Sequence, residues 1–353
     1  MRVFVTVQHP AHVHFFRNAV TELRDGGHDV RVYAREKEMT TRLLDQYGID
    51  YHVLAGAADS LASLAKVQAT YELQLWREAL RHDPDVLTAI SGLAASHVAT
   101  VIGATSVIFT DNMTPTNKLF APFANVVCTP RNHYGDFGIK HVRYDGYHEL
   151  AYLHPNRFQP DPDVLRAHGV DPEERFFVLR FSDMGAHHDV GQEGLSPSAK
   201  REVVDYLSNH GTVYASIEGE DELSAREIPV PPHRIHHLLA MADIFVTDSS
   251  TMPTEAGLLG TPTVRSNSFA GEDDVMCNFV ELQEYGLVYS TPDESDALET
   301  VRDLTTDPTA RDRWADRRDR VLAEKIDVTS FITDILTAPG ARGTVDRSVE
   351  SPV

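Results

Sequence analysis

The sequence predicts an α/β protein built from two consecutive doubly wound domains, and three observations carry that expectation. Short β-rich runs alternate with amphipathic helical stretches from the first residues onward. A stretch rich in proline and charge, residues 154–175, interrupts the alternation, which then starts again. At 353 residues the chain exceeds what one hydrophobic core usually supports, and with 42% hydrophobic residues it can fill two. Two domains of similar size put a cleft between them. Open α/β sheets bind ligands beyond the carboxyl ends of their strands, so the loops after the strands are where function is sought.

In chain order, RVFVTV (2–7) reads as a buried strand and FFRNAVTELRDGG (15–27) as a helix ending in glycines. VRVYA (30–34), YHVL (51–54), DVLTAI (85–90), SVIFT (106–110) and NVVCT (125–129) are the further strands of the first domain. Helices are expected near 37–48, 60–82 and 93–103, and the domain spans 1–153. After the linker at 154–175, FFVLRF (176–181), TVYASI (212–217), DIFVT (243–247) and TPTVRS (261–266) are strands of a second domain spanning 176–337. Its helices are expected near 196–209, 233–242, 252–259, 294–307, 309–325 and 327–337. Residues 338–353, which lack apolar periodicity, are expected to be a disordered tail.

Composition narrows the partners. With 32 basic and 53 acidic residues the formal charge is −21, which argues against a nucleic-acid backbone or an anionic membrane as principal partner. The basic residues are nearly all Arg, and scarce Lys beside abundant Asp and Glu suits concentrated salt, where screening removes self-repulsion. Cys128 and Cys277 are far apart and belong to no metal-spaced pair, the pattern of a reduced, cytoplasmic protein. No charged leader precedes the first strand, and no apolar run approaches the ~20 residues of a membrane span. Peripheral membrane contact stays open.

Five loops could carry chemistry. In IFVTDSSTMPTEAGLLGTP (244–262) a strand delivers Asp248, Ser249, Ser250 and Thr251 to the sheet edge, and Met252-Pro253 opens a helix. Free amides in that turn attract an anion, and Glu255 sits one turn in, where a carboxylate can accept hydrogen bonds from a ribose diol. A helix merely capped by Ser250 or Thr251 fits the same residues. VQHPAHVHFF brings His9, His12 and His14 to the first strand-to-helix turn, as bases, as donors to a phosphate, or as plain loop caps. A metal reading of these histidines lacks a carboxylate or Cys partner. LRFSDMGAHHDVGQ (179–192) offers Arg180, Ser182, His187 and His188, with Asp189 to orient a histidine, and reads equally as a solvated loop. IFTDNMTPTN and YDGYHELAYL present Asp111, Asn112, Tyr147, His148 and Glu149, residue types that also start ordinary turns. EIPVPPHRIHHLLAMAD contains a Pro-rich turn and a helix whose His236 and His237 read as packing or surface residues.

DSSTMPTEAGLLGTP resembles the DSGGxQEEAxxLGxP segment of UDP-N-acetylglucosamine 2-epimerases, the nucleotide-diphosphate loop of GT-B-type proteins. That resemblance implies that Ser249, Ser250 and Thr251, beside Asp248, receive the diphosphate and that Glu255 holds the ribose. HPAHVHFF stands where the lipid-linked peptidoglycan N-acetylglucosaminyltransferases carry GGTGGHxxP, which puts His12 on that family's histidine although the glycines are missing. By the same likeness Arg180, Ser182, His187 and His188 meet the donor phosphates, and Ile228 to Val230 grip the base. HPAHVHFF, DGYHELAYLHP, LRF…AHHD and TDSSTMPTEAGLLGTP, in that order over nearly the whole chain, resemble the archaeal family catalogued as domain of unknown function 354, itself similar to nucleotide-sugar epimerases and GT-B glycosyltransferases.

The resemblance implies a GT-B-like fold, two Rossmann-like domains facing each other across a cleft, and a metal-independent glycosyltransferase with no separate cofactor. The donor is a nucleotide-diphosphate sugar, UDP-sugars being favoured, and the acceptor a glycan or a lipid-linked molecule. His12, His14, Asp111 and Glu149 are the candidates for acid/base work on the acceptor. A non-hydrolysing 2-epimerase is the alternative, and a catalytically silent nucleotide-sugar-binding subunit the third reading. Against epimerisation, those enzymes take one acid from a Gly-Asp-Thr loop after the fourth strand, where this chain has Ser91-Gly92-Leu93. Related epimerases dimerise through the first domain, so a homodimer is an expectation. An archaeal family with this acidic composition suggests a haloarchaeal source.

Overall fold

The structure is a computed structural model and describes residues 1–57, 61–182, 194–217, 223–250, 252–268, 270 and 276–339, without the side chains of residues 38, 61 and 62. His187, His188 and Thr251, and all but the first two residues of the expected tail, lie outside the described residues. The chain divides into two compact units, one formed by Met1–Arg157 with the chain from Lys325 onward, the other by Phe158–Glu324.

In the first unit, β1 (Arg2–Val7), β2 (Asp29–Arg35), β3 (Tyr51–Ala55), β4 (Val86–Ile90), β5 (Thr105–Phe109), β6 (Val126–Pro130) and β7 (His141–Tyr144) form one sheet. Its order is β3-β2-β1-β4-β5-β6-β7 and every pairing is parallel. Parallel strands need crossovers, which cover both faces, so the central strands are buried on both sides. Val3, Phe4, Val5 and Val7 of β1 accordingly have almost no exposed surface. The first crossover helix, Pro10–Asp25, opens with His9 as cap and Pro10 in its first turn, and it buries Val13, Phe16, Val20 and Leu23 along one stripe. Strand order reverses between β1 and β4, which opens a crevice at their carboxyl ends.

The second unit repeats the plan. β8 (Phe176–Phe181), β9 (Thr212–Ile217), β10 (Arg226–Glu227), β11 (Ile244–Thr247), β12 (Thr263–Ser266) and β13 (Val288–Thr291) run in the order β10-β9-β8-β11-β12-β13, again all parallel. Here the reversal falls between β8 and β11, whose Arg180 and Thr247 are paired in register. The alternation of strands and helices that the sequence predicts is therefore present in both units.

Several elements differ from the sequence expectation. The first helix begins at Pro10 rather than at 15, because the His9 ring accepts from the Ala11 amide and caps it. Much of the expected linker is folded into the second unit. The helix Pro162–Ala167 is capped by Asp161, whose amide donates to His237, and Phe158 packs on the same imidazole. Strands β7, β10 and β13 are too short and polar to show a period of two.

The last helix, Val328–Thr337, was expected with the second domain and packs instead on the first unit. Thr329 donates to the Ala151 carbonyl at 2.6 Å, and Phe331 lies 4.7 Å from the Tyr144 ring and 6.4 Å from Phe109. Arg157 adds an ion pair to Asp327 at 2.8 Å. An amphipathic period shows which face of a helix is buried but not which sheet buries it. Phe331→Ala is expected to cost about 3–5 kcal/mol and to lower hydrogen-exchange protection in β5 and β7. Loss confined to β8 and β11 would contradict this placement.

Candidate functional site

The densest polar arrangement of the second unit lies at its strand-order reversal. After β11 the chain turns through Asp248, Ser249 and Ser250 before the helix Met252–Leu258. Thr247 shapes the turn: its Oγ1 donates to the Arg180 carbonyl at 2.7 Å and accepts from the Ser249 amide at 2.9 Å. Ser249 and Ser250 stay partly exposed on this edge. Arg180, on β8, donates to Ser216 Oγ of β9 at 2.7 Å.

Asp248 is 0% exposed, and its carboxylate ties the two loops at the reversal together. Oδ1 accepts the Ser182 amide at 2.7 Å, and Oδ2 lies 3.7 Å from Nζ of the buried Lys200, in the helix Pro197–Ser208. Its carbonyl accepts from Asn267 Nδ2 at 2.9 Å, which adds the loop after β12. Gly194 passes so close that a Cβ there would stand 2.5 Å from Asp248 Oδ2, so only glycine fits without displacing the carboxylate. Burial pushes the Asp248 carboxyl above the usual carboxylate range, against the opposing pull of the Ser182 amide and Lys200. Asp248 thus holds the loop from beneath; the Ser249 hydroxyl lies 2.9 Å from Thr247 Oγ1 within the turn, and Ser249 and Ser250 both keep part of their surface exposed.

Glu255 is buried in the helix Met252–Leu258, and its Oε1 lies 3.0 Å from His236 Nε2. His236 is buried too, so the helix that the sequence marks as packing supplies the partner of the proposed ribose ligand. Ile228 and Val230 follow β10, the first half-buried and the second buried.

In the first unit, His12 and His14 fall in the helix Pro10–Asp25 and not in a loop. At ~100° per residue they stand about 200° apart, so they cannot serve one site. His12 Nδ1 is 3.5 Å from the Gln8 amide at the crevice, and desolvation, reinforced by His9, His148 and Lys37, pushes its pKa from 6.5 down to about 3. His14 turns away: Tyr47 Oη lies 3.2 Å from its Nδ1, and the Tyr152 ring packs 5.1 Å from its own. Asp111 stands just past β5 with its side chain 32% exposed, and Asn112 Nδ2 donates to its Oδ1 at 3.1 Å. Glu149 is buried at the start of the helix Leu150–Leu153, and its carbonyl accepts from the Tyr152 and Leu153 amides. It is the preceding residue, His148, that reaches Asp111, with Nδ1 at 3.4 Å from Oδ2. Among the described residues no group of three or more His, Cys, Asp and Glu could hold a metal ion, and no helix is long and apolar enough to cross a membrane.

The structure therefore gathers Arg180, Ser182, Asp248, Ser249 and Ser250 at one reversal and His12 at the other, and it separates His14 from His12. Lys200, Gly194, Asn267 and His236 escape sequence reasoning. A lysine or glycine within an ordinary helix or loop carries no mark of the carboxylate it will meet. The His236 signal was present in the order histidine-helix, strand, glutamate-helix, which brings consecutive crossover helices together on one sheet.

Two parallel α/β sheets, each with a reversal lined by polar loops, define a protein of the GT-B fold. UDP-N-acetylglucosamine 2-epimerase from Methanocaldococcus jannaschii shares it with a TM-score of 0.68 at 12% identity, over 96% of this chain and 99% of that one. The corresponding enzyme from Neisseria meningitidis, bound to UDP-GlcNAc, gives 0.69 at 11% identity, over 96% and 100%. Spinosyn forosaminyltransferase gives 0.64 at 16% identity, over 96% and 99%. At such identities the likeness is one of fold. Residues 1–336 match the family described as "Protein of unknown function (DUF354)", and the chain belongs to that family. No curated protein matches it.

The raised pKa of Asp248 has a signed consequence. A carboxyl titrating higher in the folded than in the unfolded state contributes stability at low pH that is lost as pH rises through its folded pKa. Asparagine mimics the protonated form, so the stability of Asp248→Asn relative to wild type should improve as pH is raised from below the carboxylate range to neutrality. Urea unfolding across that range checks it, and movement in the opposite direction would contradict the burial argument.

Proposed function

We propose that this protein is a glycosyltransferase-type enzyme that takes a nucleotide-diphosphate sugar, with UDP-sugars favoured, on its second unit and a glycan or lipid-linked acceptor on its first. The observation that carries this reading is the Asp248–Ser250 turn at the β8/β11 reversal, fastened to the Ser182 loop by a buried carboxylate. Ligands of open α/β sheets sit at such reversals, and a turn with two partly exposed serines suits a diphosphate. In transfer, the bond between the anomeric carbon and the diphosphate oxygen breaks, and the nucleoside diphosphate leaves with the electron pair. Donors from Ser249, Ser250 and Arg180 stabilise the charge it gains. Thr251, His187 and His188 complete the proposed donor set from the flanking sequence. Glu255 is the proposed ribose ligand, oriented by His236. The neighbour bound to UDP-GlcNAc supports the donor class.

Transfer is favoured over epimerisation by the other reversal. Ser91 takes a left-handed conformation with φ 48°, and a Cβ on Gly92 would stand 2.4 Å from Ala89 Cβ. The loop that would supply an epimerase acid has no carboxylate, and at Gly92 it has no room for one.

A thermal-shift panel of UDP-, GDP- and dTDP-sugars at high salt tests the proposal. One nucleotide series should raise the melting temperature of wild type, and Glu255→Ala should abolish that rise. Release of the nucleoside diphosphate should require an added acceptor. Stabilisation by none of the sugars would sink the reading, and solvent deuterium entering sugar C2 without acceptor would replace transfer with epimerisation.

A further inference from the structure

The helix Leu61–His82 carries two apolar stripes, where covering one sheet needs only one. Tyr71, Leu75 and Ala79 recur every four residues and lie in the core of the first unit, with Val67 packed against it. Ala69, Leu73, Trp76 and Leu80 form the second stripe, which at ~100° per residue stands about 150° around the helix from the first. These residues are exposed, Leu73 by 44% and Leu80 by 61%. The face continues onto the helix Leu93–Ile102, where Val98 and Val101 line with Leu73 and Trp76 a groove of about 520 Å³. His97 spans it, with Nδ1 3.0 Å from Glu72 Oε1, and its ring meets the exposed Phe123 edge-on at 4.5 Å. A contiguous apolar face on a chain of net charge −21 marks an interaction site.

The spacing and the flanking charges say what covers this face. Steps of four, three and four from Ala69 to Leu80 are those of a coiled-coil seam, with Leu73 and Leu80 at its a positions and Ala69 and Trp76 at its d positions. In that frame Glu72 falls at g and Arg77 at e, so one flank of the seam is acidic and the other basic. When two copies of one helix lie side by side in parallel, each g residue stands against the e residue five further on in the other copy. Glu72 then meets Arg77 of the second copy, and the two-fold axis makes the contact twice. Among the described residues Arg77 meets no carboxylate and donates only to Gln74, at 3.5 Å. An antiparallel pair would instead bring the two acidic flanks together, where like charges repel. We infer that this face holds a second copy of the chain. The two helices Leu61–His82 lie parallel across a two-fold axis, with Leu73, Trp76 and Leu80 on their own counterparts and Glu72 of each paired with Arg77 of the other. A copy of the chain supplies both halves of the match, an apolar seam of the same length and a basic flank for the acidic one.

Sedimentation equilibrium on the full chain tests the pairing. Wild type should show the mass of two 39.3 kDa chains at micromolar concentration. Leu73→Arg, at an exposed position, should weaken association by about tenfold or more while thermal unfolding stays cooperative. Glu72→Arg and Arg77→Glu should each weaken it, and the double exchange should restore it, which an effect on the helix alone would not do. The exchanges are read at the lowest salt in which the chain stays folded, since screening hides them. On oxidation, Leu80→Cys should link two copies through residue 80, because Cys128 and Cys277 are buried and do not compete. This variant adds no charge and keeps the test usable if Leu73→Arg folds poorly. A monomeric wild type, or a dimer indifferent to Leu73→Arg, overturns the inference. So does a link that forms only when Leu80→Cys is mixed with Ala69→Cys, the mark of antiparallel helices.

Discussion

Burying a carboxylate is costly unless donors meet it, and at Asp248 they come from several directions at once. The Ser182 amide and the Lys200 ammonium come from the chain after β8, as does the close pass of Gly194, and all three meet a carboxyl that follows β11, far along the sequence. Removing one partner of such a pair leaves an uncompensated charge, at about 3–5 kcal/mol. The turn that follows is therefore held from below, and its two serines gain a defined direction. Pre-organisation of this kind is what a site needs if it is to hold an anion without spending binding energy on ordering a loop.

The first unit solves the same problem with different chemistry. Its reversal between β1 and β4 is lined by a histidine-capped helix and by Ser91-Gly92, where a side chain has no space. Farther along the same sheet edge, Asp111 Oδ2 lies 3.4 Å from Nδ1 of the buried His148. One unit thus places two partly exposed serines beside a buried acid, and the other a partly exposed acid beside a buried histidine.

Much of the fold could be read from the sequence because parallel strands buried on both faces are nearly continuous apolar runs, as RVFVTV and FFVLRF are. What escaped was decided by contacts remote in sequence. The helix Val328–Thr337 carries the same kind of amphipathic stripe whichever sheet it covers, and only Phe331 meeting Tyr144 assigns it. Of the proposed site, Ser249, Ser250 and Glu255 could be named from the sequence because one short motif carries them. His14 was expected in a loop and lies instead in a helical turn beside Tyr47, because His9 caps the helix early. Lys200 and His236 became important only through Asp248 and Glu255.

The central claim is that the turn after β11 holds a nucleotide diphosphate, and a crystal structure with bound UDP tests it most directly. The account predicts diphosphate oxygens within hydrogen-bonding distance of Ser249 and Ser250, with Asp248 still buried on the Ser182 amide and the ribose against Glu255. A nucleotide seated on the first sheet, or a β11 turn left empty at saturating UDP, would contradict it.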